Sequence, residues 1–345
     1  MSEIISISAK LPPAPPPIEF WSPSQFADYD PPADFVLVGD HHIVRGGITV
    51  IGGPPGVGKS RTIPSLAVSG ATKRPWMGVD VLANFKTLVV QVENGAFRLK
   101  NELAAVETPA GTDLDEWLKI SPPPPYGLDF GSDDFCEEVK ATIESWEPGV
   151  VVLDPWNRVC GDDDIRSYRK SLETLFSVLP ADMEKRPALV IVHHLRKRKG
   201  DHRKGRDLLE ELAGSYSIGS AARCVYVMQP ATPDPEDNRV VWTCAKSNDG
   251  LQGAPSAWFR EDGGFVCDPG FDMEDFLAGA EPGRKVITAE VVESTIGGGD
   301  VTKSEFVGRM KIAGFEKSAA YAALKRFDQA VEDSGGKLWW QNDST

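Results

Sequence analysis

Residues 48–60 read ITVIGGPPGVGKS, and the fold turns on how that stretch is built. Ile48–Ile51 is a short apolar run of the kind that forms a strand covered on both faces. It leads directly into GPPGVGKS at 53–60, which has the spacing GxxxxGK[ST] of a phosphate-wrapping loop. Glycines let backbone N–H groups approach phosphate oxygens without a Cβ in the way, and the helix N-terminus expected next adds a favourable dipole. Lys59 supplies a point charge for the β- and γ-phosphates, and the Ser60 hydroxyl suits a Mg²⁺ ligand. The expected cradle is Gly53, Pro54, Pro55, Gly56, Val57, Gly58, Lys59, Ser60 and Arg61, with ATP and Mg²⁺ as cofactors. Pro64 falls in the second turn of the following helix, where proline loses a hydrogen bond, so a kink is expected there.

Outward from this loop, short β-rich runs alternate with helical stretches from residue 35 to about 260. Strands are expected at Ile48–Ile51, Thr87–Val92, Val150–Leu153, Ala188–Val192, Cys224–Met228 and Val240–Cys244. The alternation implies an α/β fold with a mostly parallel sheet. Three of these strands end in groups that a Mg-ATP site needs. VVVLD at 150–154 ends in Asp154, placed to hold the metal through water; the plainer alternative is an Asp that caps the next segment. LVVQVEN at 88–94 carries Glu93, a strand-end carboxylate suited to orient or deprotonate water. ALVIVHH at 188–194 ends in His193-His194, and His194 is chosen as the one that meets the γ-phosphate. Asp162, Asp163 and Asp164 read as a solvated acidic loop.

With these strand ends assembled, the chain resembles the RecA-like ATPases, specifically the hexameric replicative helicases of the RepA/DnaB group. The matching pieces are GGPPGVGKS, VVQVEN with Arg98 downstream, VVVLDPWNRVCGDDD and VIVHHLRK, and they cover roughly residues 35–255. The resemblance implies Glu93 as catalytic base, Asp154 as Walker B acid and His194 as γ-phosphate sensor. It also implies a homo-oligomeric, hexameric ring with ATP between subunits and an arginine finger from the neighbour. Helicases of this group carry a Lys and an Arg close together on a late strand. Here CAKSNDG offers Lys246 as a trans-acting catalytic cation without that Arg, and Arg223 or Arg260 are the substitutes for the finger.

Net charge is −14, from 37 Lys+Arg against 51 Asp+Glu, so nucleic acid would have to be bound locally and not by bulk charge. Residues 196–206, RKRKGDHRKGR, reverse the sign. Arg196, Lys197, Arg198, Lys199, Arg203, Lys204 and Arg206 are the candidates for single-stranded DNA, contacting backbone phosphates without reading sequence. A solvated basic loop is the plainer reading.

Residues 1–34 form a Pro-rich arm, with Phe20, Trp21 and Phe26 suited to docking on a surface. The ATPase domain follows over 35–269, an acidic linker over 270–283, and a small unit over 284–345. In that unit a helix is expected over Thr302–Ala313, with Thr302 and Glu305 at capping-box spacing. A second helix, capped by Ser318, runs to about Phe327, and GKLWWQ at 336–341 reads as a strand. This outline is that of a winged helix-turn-helix or of a plain helical cap, with Trp339-Trp340 as wing or core. Five cysteines lack metal or disulfide spacing and fit a reducing cytoplasm. No run of about 18 apolar residues exists, so no membrane partner is expected. Together these readings point to an ATP-driven, ring-forming DNA motor acting on single-stranded DNA. The alternative is an ATP-switched DNA-binding or helicase-loading protein.

Overall fold

The computed structural model describes residues 19–123, 130–156, 165–195, 204–205, 207–212, 216–279, 287–297, 301–327 and 329–341. The chain divides into two units, residues 1–33 and 34–345. In the first, helix α1 (Pro23–Ala27) is opened by a capping box between Ser22 and Gln25. Trp21 packs against Phe26 and Tyr29 at ring-centroid distances of 5.3 and 5.8 Å.

The second unit begins with a small ladder of β1 (Val36–Val38) and β2 (Ile43–Val44). Strand β3 (Ile48–Gly53) leads through the phosphate loop to α2 (Thr62–Thr72). Then come β4 (Thr87–Gln91), α3 (Ala96–Ala105), β5 (Leu118–Ile120), α4 (Asp133–Trp146), β6 (Val150–Asp154), α5 (Ile165–Val178) and β7 (Ala188–His194). Two short helices, α6 (Asp207–Glu210) and α7 (Tyr216–Ala221), precede β8 (Cys224–Pro230), β9 (Arg239–Ser247), β10 (Ser256–Glu261) and β11 (Gly264–Cys267). Helix α8 (Met273–Ala278) follows the last of these.

The nine strands β3–β11 form one sheet in the order β11-β10-β9-β8-β3-β7-β6-β4-β5. From β8 to β5 every pairing is parallel. The central strands β6 and β7 are nearly continuous in Val, Ile and Leu because the sheet is covered there on both faces. On one face Val50, Val151, Ile191 and Val227 pack with Ile143, Leu175 and Ile218 from α4, α5 and α7. On the other, Ile51, Val152, Val190 and Tyr226 pack with Ile63 and Leu66 of α2 and with Trp76. Fully burying each such side chain is worth about 1.5–3 kcal/mol, so this two-faced core holds the strand ends in place.

Three expectations need correction. The strand at Val240–Cys244 does not continue the parallel alternation. No helix separates β8 from β9, so β9 turns back antiparallel, and β10 and β11 extend that antiparallel edge. The kink at Pro64 is not needed, because Lys59–Arg61 forms a 3-10 turn and α2 starts at Thr62. Pro64 then stands in the first turn, where its missing N–H has no partner to lose. Ser318 does not cap the second C-terminal helix, which begins two residues earlier than that cap implies, at Lys317 with Glu316 at the N-cap.

Within the acidic stretch expected as a linker, α8 buries Phe276 against Val241 and Ala257. The region beyond holds α9 (Ala289–Ile296), β12 (Val301–Thr302), α10 (Lys303–Ile312), α11 (Lys317–Arg326), β13 (Ala330–Glu332) and β14 (Lys337–Trp340). The capping box of Thr302 and Glu305 is formed. The three short strands pair antiparallel in the order β12-β14-β13, over a core of Val292, Phe306, Met310, Phe315, Ala320 and Leu338. Trp340 packs at the edge of that core and Trp339 is exposed. Arg326 bridges from α11 to Asp272, the N-cap of α8, and to Asp275 in its first turn, at 3.3 and 3.0 Å.

Candidate functional site

Strand β3 ends at Gly53, and the chain must then turn tightly to start a helix. A Cβ on Gly53 would stand 2.9 Å from the Met228 carbonyl and from Val57, so the strand end tolerates only glycine. Gly58 has φ +107°, a left-handed conformation that costs other residues. The loop between them opens into a cleft of about 460 Å³. Gly56, Gly58, Lys59, Ser60 and Arg61 line it on the loop side.

Parallel register brings the remaining groups to the same end of the sheet. Gly53 stands beside His194, and Gln91 beside Asp154. Glu93 follows two residues past β4, and Glu93, Asn94, Arg98, Asp154 and His194 all line the cleft. The structure thus brings Lys59, Ser60, Glu93, Asp154 and His194 together. It also separates the two histidines: His193 is buried, while His194 reaches within 3.5 Å of the Lys59 ammonium through Nδ1.

Lys59 is buried and donates to the carbonyls of Gly53 and Pro54, each at 2.9 Å. Burial pulls its ammonium down to about 8, against the opposing influence of Asp154 and Glu93. Burial likewise pushes the Asp154 carboxyl up to about 6; the Ser60 hydroxyl, which donates to it, works the other way, and Glu93 raises it further. A desolvated carboxylate in hydrogen-bonding contact with a hydroxyl, beside a second carboxylate, is a donor set that fits a hard divalent cation. Ser60 and Asp154 would hold Mg²⁺, which would neutralise charge developing on the phosphates.

The turn carrying Glu93 is pinned from below by Gln91. Its buried amide donates to the carbonyls of Asn94 at 3.1 Å and Ser121 at 2.7 Å, and accepts from the Asn94 N–H at 2.8 Å. Arg98 pairs with Glu102 one turn along α3 at 3.0 Å.

Lys246 does not enter the cleft. Its ammonium donates to the carbonyls of Gly219 at 2.8 Å and Ala222 at 2.7 Å, at the C-terminal end of α7, where a cation also meets the negative end of the helix dipole. Arg223 pairs with Asp249 at 3.5 Å. Of the basic run, Lys204 is exposed, while Arg196, Lys197, Arg198, Lys199, Arg203 and Arg206 lie outside the described residues, as do Asp162, Asp163 and Asp164.

Residues 13–200, more than half of the chain, match the family model of the AAA domain. The chain belongs to the AAA domain family. No curated protein matches it. Membership in the AAA family supports nucleotide binding and ATPase chemistry at the loop described above; it does not single out the replicative helicases. No described helix is long and apolar enough to cross a membrane.

Two further residues of this AAA protein reach the cleft from the antiparallel side: Asn238, which the sequence did not single out, and Arg260, expected only as a substitute for a finger reaching a neighbour's nucleotide. Asn238, in the turn between β8 and β9, and Arg260, on β10, both line the cleft, and both lie beyond the matched stretch. Neither belongs to a motif, and nothing in the spacing of Arg260 from Lys59 signals that they meet.

Proposed function

We propose that this chain hydrolyses ATP with Glu93 as the base that activates water, Asp154 and Ser60 as the metal-holding pair, and His194 as the group that reads the γ-phosphate. The observation that carries the reading is the convergence of these side chains with Lys59 in one cleft at the C-terminal ends of parallel strands. Such a cleft suits phosphoryl transfer, where catalysis is mainly positioning and charge stabilisation. We further propose that hydrolysis serves a ring-forming motor of the RepA-like type on single-stranded DNA. The seven basic residues directly after the His194 strand support this part, since a loop there would answer to γ-phosphate loss at the preceding strand end.

A second reading, an ATP-switched DNA-binding or loading protein, is favoured by two observations. Lys246, the trans cation of the motor reading, is engaged with the end of α7. In the C-terminal region, exposed Lys317, Tyr321 and Lys325 recur every fourth residue on α11, a spacing that puts them on one face. Two helices followed by an antiparallel pair support a winged-helix reading there.

ATP turnover with and without single-stranded DNA, at low and moderate salt, separates the two. The motor predicts strong stimulation by the strand, weakening with salt. DNA binding without stimulation would favour the switch, and absence of both effects would reject both DNA roles.

A further inference from the structure

Strands β10 and β11 are some 200 residues from the phosphate loop in sequence, yet they lie on it. The Arg260 guanidinium donates through Nη1 to the Gly56 carbonyl. Its Cδ and the ring of Phe265 stand 3.0 and 3.2 Å from where a Cβ on Gly58 would be. In return, Arg61 Nη1 donates to the Glu261 carbonyl at 2.7 Å. Asn238 Nδ2 donates to the Arg260 carbonyl at 3.2 Å, which ties the backbone carrying this arginine to the β8–β9 turn.

We propose that Arg260 binds the terminal phosphates of the nucleotide held by its own subunit and stabilises the charge that develops on them during hydrolysis. The proposal rests on the ATPase reading above and changes where its extra cation comes from: the same chain, not a neighbour across a ring. A guanidinium carries five donors, and the contact with Gly56 engages one of its terminal nitrogens. A neutral carbonyl is a weaker acceptor than a phosphate oxygen, because charge-assisted hydrogen bonds are roughly twice as strong as neutral ones. Lys59 stands in the same relation to the Gly53 and Pro54 carbonyls, so both cations rest on loop carbonyls beside the cleft that they line. Rotation about the Arg260 side chain moves its fork from the Gly56 carbonyl into that cleft while β10 stays in the sheet. The Arg61–Glu261 and Asn238–Arg260 contacts keep the backbone of this edge against the loop during that movement.

The full-length chain carries the test. Arg260→Ala should lower ATP turnover by about 100-fold or more, the scale for losing one preorganised charge stabiliser. It should weaken binding of ADP with aluminium fluoride by a similar factor and leave ADP binding within about threefold. Arg260→Lys keeps a donor for Gly56 and should restore ADP binding fully but aluminium-fluoride binding only in part. Mixing Arg260→Ala with Lys59→Ala subunits decides between own-subunit and neighbour action. Action within a subunit leaves the mixture as inactive as its parts, whereas action across an interface restores turnover wherever an Arg260→Ala subunit meets a Lys59→Ala one.

Regained turnover in the mixture, with co-purification proving that the two variants associate, would overturn the proposal. So would turnover of Arg260→Ala within threefold of wild type, or full rescue of both binding readouts by Arg260→Lys. A wild-type chain that neither binds nor hydrolyses ATP would instead remove the ATPase reading and this proposal together.

Discussion

Glu93, Asp154 and His194 reach the cleft from the ends of parallel strands, whereas Asn238 and Arg260 reach it from an antiparallel meander on the other side of β3. The two routes differ in what fixes the side chains. On the parallel side each group stands at or just past the end of a buried strand sandwiched between helices, directly beside a buried residue: Asn94, Leu153 and His193. On the antiparallel side Arg260 sits on the partly exposed strand β10 and Asn238 in the exposed turn before β9, and hydrogen bonds to backbone carbonyls tie this side to the loop. Chemistry that must be held rigidly thus stands on the covered half of the sheet, and the half that can shift by side-chain rotation lies at its edge.

The largest effect expected from breaking this division is at Glu93. Glu93→Gln keeps the shape of the side chain and removes its basicity. It should leave ATP binding nearly unchanged and lower turnover by about 10³-fold, within the range attributed to general-base and charge-stabilising groups. Isothermal titration with ATP and a steady-state turnover assay would check the two halves. Near-normal turnover would mean that the water is activated from the antiparallel side instead, and the comparison would have to be reversed.

A smaller effect, in stability, tests the cost of the covered half. The folded protein holds the Asp154 carboxyl near 6, above its ordinary 3.8. Between those values the folded chain binds more protons than the unfolded one, so this group's contribution to stability falls as pH rises through the window and stays low above it. A gap of about two pH units corresponds to at most about 3 kcal/mol. Asp154→Asn, which removes the ionisation, should therefore stabilise the nucleotide-free chain at pH 7.5 by on the order of 1–2 kcal/mol. The gain should shrink as the pH is lowered to 4. Thermal or urea unfolding at the two pH values measures it, and a destabilised variant at pH 7.5 would show that the buried carboxylate is held at no cost.

The same division governs what could be read from the residues alone. Ile48–Ile51, Val150–Leu153 and Ala188–Val192 are legible because burial on both faces leaves the run apolar apart from Thr49, and a carboxylate or histidine at the end of such a run is conspicuous. Leu118–Ile120 and Gly264–Cys267 are short strands at the two edges of the sheet, and Ser256–Glu261 lies next to the latter with only partial burial, so none of the three makes a long apolar run that stands out in the sequence. The direction of β9 depends on the absence of a crossover helix, which only the chain path after β8 reveals. Arg260 and Asn238 act at the loop through sheet order, and no local spacing encodes that order. Gln91 was hidden for another reason: a glutamine inside an apolar strand looks like a weakness in the run, when its amide is the support beneath the Glu93 turn.

The smallest effect is expected at the antiparallel edge, where Asp237 and Arg239 clasp the turn that carries Asn238. Arg239 donates to the Asp237 carboxylate through Nε at 2.9 Å and Nη2 at 2.8 Å. Those hydrogen bonds, with the Arg239 backbone N–H and the Thr232 hydroxyl, hold the acid down at about 2 despite some burial. A depressed acid contributes stability that is fully present above the ordinary 3.8 and is lost as pH falls through about 2. The pair is partly exposed, 35% at the Arg239 side chain and 12% at Asp237, so solvent screening discounts it in part, and Asp237→Asn should cost about 1 kcal/mol at pH 7. Unfolding of the variant at pH 7 checks the size, and comparison at pH 2 checks that most of the difference is gone. A loss well above about 2 kcal/mol would mean that the edge is held by this ion pair and not by its strand ladder and apolar packing. The orientation of Asn238 and Arg260 over the phosphate loop would then depend on a surface charge, and nucleotide affinity should fall together with stability in the same variant.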